Sequence, residues 1–200
     1  PNHTEIYLPE PETLAFLQYT SGSTGEPRGV RVTHGNLAHN QTYNCEYAGL
    51  DERGSLVIWV PHYHDFGLNC GILGTLWTHA ELTLLSPLSF LRRPALWPEL
   101  MHRFRATATA APNFALELTR RKTSPEQRAR WDLSRLHLVA LGGEAVQAVH
   151  VDRFAAAFAP AKLAPKALEP KLDKLNPISG FKQSYLSWTP LVELGKGVGK

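Results

Sequence analysis

Residues 19–30 hold the densest chemistry in the sequence: Tyr19-Thr20-Ser21-Gly22-Ser23-Thr24-Gly25-Glu26-Pro27-Arg28-Gly29-Val30. Thr20, Ser21, Ser23 and Thr24 supply hydroxyl donors that can follow phosphate oxygens. Gly22, Gly25 and Gly29 let backbone N–H groups approach an anion closely. Arg28 adds a fixed positive fork suited to phosphate. The plain alternative is a polar hairpin turn, but ordinary turns rarely stack Thr-Ser-Gly-Ser-Thr-Gly ahead of Pro-basic-Gly. No Gly-Lys-Ser/Thr follows, so this is not a Walker loop, and no Gly-x-Gly-x-x-Gly marks a dinucleotide turn. The expected chemistry is phosphate binding.

Three other constellations stand further along. His62-Tyr63-His64-Asp65 places two imidazoles one residue apart beside a carboxylate. On a strand end they would share a face. Two readings are open from the residues alone: a metal site whose third and fourth ligands the sequence does not place, or a satisfied, partly buried histidine pair. Asn113-Phe114 follows Pro112, and read plainly it is a capping Asn with a core Phe. Gly142-Gly143-Glu144 reads as a strand-to-helix turn, where Glu144 would favour the positive end of the following helix.

The elements that must position these residues alternate. Strands are expected over 14–19, 29–32, 56–60, 81–85, 107–111 and 136–141. Helices are expected from the Thr33 cap to about Tyr47, over 67–79, from Pro94 to about Arg105, from Pro112, from Ser124-Pro125, and over 144–158. Repeated strand–helix alternation predicts an α/β fold: a mixed or parallel sheet with flanking helices.

Composition fits a soluble globular chain. Of 200 residues, 43% are hydrophobic and 20% charged, which argues against disorder, collagen and coiled coil. No window approaches 18 consecutive apolar residues, so no membrane-spanning helix is expected. A net charge of +3 is too small to suggest nucleic acid as a partner. Cys45 and Cys70 lack disulfide-framework or metal-pair spacing, which points to a reducing, cytoplasmic setting. Residues 1–160 carry thirteen Arg and one Lys, whereas residues 161–200 carry seven Lys and no Arg. That switch predicts a boundary: a first region, 1–160, and an irregular Lys/Pro-rich tail, 161–200.

The phosphate-type loop resembles the core motif Tyr-Thr-Ser-Gly-Ser-Thr-Gly-x-Pro-Lys-Gly-Val of the adenylate-forming enzymes, the acyl-CoA synthetase and adenylation-domain superfamily. Arg28 stands where that motif has Lys. The neighbours Val32-Thr33-His34-Gly35-Asn36-Leu37, Trp59-Val60-Pro61-His62-Tyr63-His64-Asp65-Phe66-Gly67-Leu68, Ser86 to Pro94, Ala111-Pro112-Asn113-Phe114-Ala115 and Leu141 to Val146 look most similar to the fatty acyl-AMP ligases. The resemblance covers about residues 12–160 and implies part of the large N-terminal domain of such an enzyme. It implies ATP and Mg²⁺, with Thr20, Ser21, Gly22, Ser23, Thr24, Gly25 and Arg28 at the phosphates. It also implies His64 and Asp65 at the acyl carboxylate, Asn113 and Phe114 on the acyl pocket wall, and Gly142, Gly143 and Glu144 at adenine. No protein metal site is expected. The implied reaction activates a fatty acid as acyl-AMP and passes it to a carrier-protein thiol. An acyl-CoA ligase is the neighbouring alternative, and a non-catalytic nucleotide- or partner-binding remnant is the third.

The resemblance fades beyond Pro160. The family's Tyr-Gly-x-x-Glu segment, which stacks on adenine and supplies a magnesium-linked carboxylate, would fall at Lys171-Leu172-Asp173-Lys174-Leu175-Asn176, which has neither aromatic nor Glu. The chain is therefore expected to be a piece of something longer, holding part of an active site, inactive or aggregation-prone without a partner chain.

Overall fold

The computed structural model describes residues 7–20 and 27–168. They fall into two units, one up to Tyr43 and one from Asn44 onward. The first contains an antiparallel hairpin of β1 (Leu14–Thr20) and β2 (Arg28–Thr33), with Thr20 opposite Arg28 and Tyr19 opposite Gly29. Helix α1 (His34–Ala48) follows at once. Its start is locked reciprocally: Thr33 Oγ1 accepts the Asn36 N–H at 3.2 Å, and Asn36 Oδ1 accepts the Thr33 N–H at 3.1 Å. This is a capping box with Asn in the usual Glu/Gln place. Gly35 donates to Pro11 O at 2.7 Å, and a Cβ there would sit 3.0 Å from that same oxygen. The approach requires glycine.

The second unit runs β3 (Ser55–Ile58), α2 (Asp65–Gly67), a π-helix over Leu68–Leu73, α3 (Gly74–Thr78), β4 (Glu81–Leu84), α4 (Pro87–Arg92), α5 (Leu96–Arg103), β5 (Ala108–Ala111), α6 (Phe114–Arg121), α7 (Pro125–Ala129), β6 (Leu138–Leu141) and α8 (Ala148–Phe158). The four strands form one parallel sheet in the order β4-β3-β5-β6. Every residue of β3 and β5 is buried, as inner strands covered on both faces must be. Hydroxyls stitch the sheet to its helices. Trp97 Nε1 donates to Thr109 Oγ1 at 2.9 Å, and Thr109 Oγ1 donates to Val57 O at 2.6 Å.

Five aromatic side chains, Trp59, Phe90, Trp97, Phe154 and Phe158, stand in an otherwise aliphatic core. Trp59 stacks on Phe90 with ring centroids 3.9 Å apart, and Phe154 stacks on Phe158 at 4.2 Å. Such pairs contribute about 0.5–1.5 kcal/mol beyond the area they bury. Residues 161–168 close against this core, with Ala161, Leu163 and Ala167 buried and Leu133 N donating to Ala161 O at 2.8 Å.

The expected α/β architecture is present, and the differences are local. The stretch 67–79 is not one α-helix. It widens to a π-helix at its centre, where the Gly74 N–H reaches both Asn69 O and Gly71 O. Gly67 is pressed onto the preceding chain, since a Cβ there would fall 2.2 Å from Pro61 O. Helix α4 has no counterpart among the expected elements, although Ser86 caps it by accepting the Ser89 N–H at 3.0 Å and Pro87 opens it. The last helix begins at Ala148 rather than Glu144, which frees residues 142–147 to act as a loop. Among the described residues no helix is long and apolar enough to cross a membrane.

Candidate active site

In the first unit, the hairpin fixes the two ends of the phosphate-type loop. Thr20 and Arg28 face each other at the last rung of the ladder, and Arg28 is exposed. Tyr19 lies across Gly29, with ring atoms 3.6 Å from the position a Cβ would take. Ser21, Gly22, Ser23, Thr24 and Gly25 lie outside the described residues, as do residues 169–200 with the Lys171–Asn176 segment.

In the second unit, topology assembles the remaining candidates. Parallel strands end on the same edge, and β3, β5 and β6 are neighbours. The segments that follow their C-terminal ends carry His64-Asp65, Asn113-Phe114 and Gly142-Gly143-Glu144 respectively. Ligands of open α/β sheets bind in this region.

After β3, the chain turns at Pro61. The strand stops at Ile58, so His62 and His64 lie beyond it in a turn and strand alternation no longer fixes their faces. His64 Nδ1 lies 2.6 Å from Asp65 Oδ1, and both side chains are about half exposed. Asp65 Oδ1 also accepts the Phe66 N–H at 2.7 Å. His64 Nδ1 accepts the same N–H at 3.3 Å, so the Phe66 amide is shared between the imidazole and the carboxylate and ties both side chains to the start of α2. Among the described residues no group of three or more His, Cys, Asp or Glu is arranged to hold a metal.

Near this turn is a half-buried thiol. Apolar surroundings, with the Asp65 charge adding to them, push Cys70 up to about 11. It stays a neutral thiol.

After β5, Asn113 is buried, and it does not cap α6. Its side chain crosses to the other corner: Oδ1 accepts the Gln147 N–H at 3.1 Å, and Nδ2 meets His150 Nδ1 at 2.8 Å. Phe114 is partly exposed rather than a core residue, and its ring meets Trp59 edge to face at 6.0 Å. The Phe114 N–H is accepted by Glu144 Oε1 at 2.7 Å. Glu144 therefore serves the positive end of α6, not of the helix that follows it in sequence.

After β6, Gly142 sits over the Phe66 ring, where a Cβ would fall 3.3 Å from the nearest ring carbon, and Gly143 has φ +83° with open space around it. Phe66 thus joins the first corner to the third. Phe66, Gln147 and His150 were not among the sequence candidates. Phe66 had a faint signal in its place between Asp65 and Gly67. Gln147 and His150 had none, since their role depends on a partner more than 30 residues away.

The AMP-binding enzyme model matches residues 2–165. The chain belongs to the AMP-binding enzyme family. This AMP-binding chain is 42% identical over 159 residues to the medium-chain-fatty-acid–[acyl-carrier-protein] ligase JamA of Moorena producens, covering 80% of the chain and 27% of JamA. It is 42% identical over 169 residues to the long-chain-fatty-acid–AMP ligase FadD26 of Mycobacterium marinum, covering 82% of the chain and 29% of that relative. Among solved structures, the fatty acyl-adenylate ligase from L. pneumophila in complex with acyl adenylate and pyrophosphate matches with a TM-score of 0.71 and 32% identity, over 76% of this chain and 27% of the other. The adenylation domain of a keto acid-selecting NRPS module bound to keto acyl adenylate matches with a TM-score of 0.71 and 27% identity, over 80% of this chain and 29% of the other. The AMP-binding chain thus spans between a quarter and a third of these relatives.

Proposed function

We propose that this chain carries the phosphate loop, acyl wall and base-side turn of a fatty acyl-AMP ligase, with residues 1–160 as its adenylation region and 161–200 as a diverged tail. One observation carries the reading: the segments bearing Asp65, Phe114 and Glu144 converge beyond the C-terminal ends of three neighbouring parallel strands. The names of JamA and FadD26, and the acyl adenylate in the L. pneumophila structure, support a fatty acid and ATP as substrates.

The fatty carboxylate oxygen attacks the α-phosphorus of ATP. The bond to the β-phosphate oxygen breaks, and pyrophosphate leaves as acyl-AMP forms. Thr20, Ser21, Gly22, Ser23, Thr24, Gly25 and Arg28 hold the β- and γ-phosphates and stabilise charge building on the leaving group. Arg28 offers a planar fork where a lysine would offer a point charge, so it changes geometry more than charge. His64, held beside Asp65, meets the acyl carboxylate. Asn113 and Phe114 wall the acyl chain, and Gly142 and Gly143 admit the adenine edge beside Glu144. Mg²⁺ would travel with the nucleotide phosphates. Among the described residues no group of three or more His, Cys, Asp or Glu could hold it. A carrier-protein thiol is the acceptor, as JamA's name suggests, and the setting is the cytoplasm.

The test is thermal unfolding with and without a non-hydrolysable acyl-adenylate analogue. At about 100 times its dissociation constant the ligand should stabilise the fold by about 2.7 kcal/mol. An unchanged transition overturns the reading for this chain.

A further inference from the structure

Three hydrogen bonds run like rungs between residues 111–114 and the loop 142–147. Gly142 N donates to Ala111 O at 3.4 Å, Glu144 Oε1 accepts from Phe114 N at 2.7 Å, and Asn113 Oδ1 accepts from Gln147 N at 3.1 Å. The middle rung is the short one and the one that carries a charge. A carboxylate accepting the first N–H of α6 also meets the positive end of that helix's dipole. The third rung is fixed in orientation. With Oδ1 committed to Gln147, Asn113 Nδ2 must donate to His150 Nδ1, so the ring carries its proton on Nε2. The two segments are therefore tied at three points.

We propose that Glu144 is a positioning residue whose carboxylate, by holding the Phe114 N–H, makes the acyl wall and the base-side turn respond to each other's ligand. The inference rests on the reading above, which gives the acyl chain to one segment and adenine to the other. A fatty acid that settles Phe114 then settles the 142–147 loop before the nucleotide arrives, and the nucleotide does the same in return. Such coupling is reciprocal by thermodynamic necessity. Glu144 acts through the Phe114 backbone, and the backbone of Gly142 and Gly143 is left to meet the base.

The experiment measures AMP affinity of the full 200-residue chain by titration calorimetry, with and without saturating dodecanoate. It compares the parent chain, Glu144→Gln and Glu144→Ala. The parent should bind AMP about fivefold or more tightly when dodecanoate is present. A neutral amide still accepts the Phe114 N–H but more weakly, so Glu144→Gln should give an intermediate ratio and Glu144→Ala a ratio near one. A purely structural role would weaken AMP equally with and without dodecanoate and leave the ratio untouched, which would overturn the inference. If Glu144→Ala does not fold, Glu144→Gln decides alone: a parent-like ratio overturns the inference, and a reduced one supports it. AMP binding by the parent with no effect of dodecanoate overturns the coupling and leaves the functional reading standing. A parent chain that binds neither ligand overturns both.

Discussion

Asp65 and Glu144 are two exposed carboxylates at the same edge of one parallel sheet, and they are held in opposite ways. Asp65 is bonded by its immediate neighbours, His64 and Phe66. Glu144 reaches a backbone N–H 30 residues away, and Asn113 beside it bridges 34 residues to Gln147. The first corner is set by local chain geometry, and its shape is secured from below by Gly67 against Pro61. The second is set by tertiary contact, and each group in it depends on the other segment being in place. A local corner tolerates loss of its side-chain bonds but not of its backbone fit. A tertiary corner behaves the other way round.

The sharpest way to break this contrast is Gly67→Ala. A Cβ 2.2 Å from Pro61 O forces the backbone apart, and the expected cost is about 3 kcal/mol, read from the denaturant midpoint. A cost below about 1 kcal/mol would mean that the first corner is not held by its backbone. Next comes Asn113→Ala, which strands a donor on Gln147 and an acceptor on His150. It should cost about 1–3 kcal/mol and raise amide exchange at Gln147 while leaving Phe66 protected. Asp65→Ala should cost less than about 1 kcal/mol, because the pair with His64 is solvent-exposed. It should nonetheless suppress acyl-adenylate formation in any context where the site is active, so unfolding and activity would part company.

The smallest effect concerns α6, the helix that carries the second corner. Hydrogen bonds from Arg120, and then from Arg121, hold the Glu117 carboxyl down at about 2, against an ordinary value of 4.5. Its folded pKa is depressed, so its stabilisation is present above about 4.5 and is lost as pH falls through about 2. Glu117→Gln should flatten that part of the acid limb in a plot of melting temperature against pH. A limb identical to the parent's would mean that the ion triad adds nothing to the helix.

The same contrast explains what could be read in advance. The alternation of β3, β4, β5 and β6 with helices was legible in short strand-like runs set between helical stretches, of which only β3 and β5 are inner strands buried along their whole length. The hairpin strands β1 and β2 were legible because a Gly/Ser-rich turn separates two short strand-like runs. Helix starts at Thr33 and Ser124-Pro125 were legible from their capping residues, whereas α4 at Ser86-Pro87 had no expected counterpart although it carries the same Ser-Pro signal. The π-helix was not, since widening a helix by one residue leaves the apolar spacing nearly unchanged. Nor was the start of the last helix. Glu144 looked like a first-turn acid, and the helix it serves is α6, which no local pattern could reveal. Asn113 looked like a cap for the same reason and proved to be a bridge.

The strand order gives this edge a sequence in time. As the chain leaves the ribosome, β3 and β4 emerge early and can pair. β5 must then return across a span of some 52 residues to lie beside β3, as the Thr109–Val57 bond records. Of the described strands β6 joins last, beside β5, and with it comes the turn bearing Glu144. Non-local pairing of this kind is slow because loop closure precedes the contacts that reward it. Until β6 docks, Asn113 and the first N–H of α6 stand at a finished sheet edge with no partner from the loop. The second corner is therefore born after the first, and a nascent chain halted short of residue 147 would display a complete His64–Asp65 turn beside an Asn113–Phe114 segment not yet tied to Gln147.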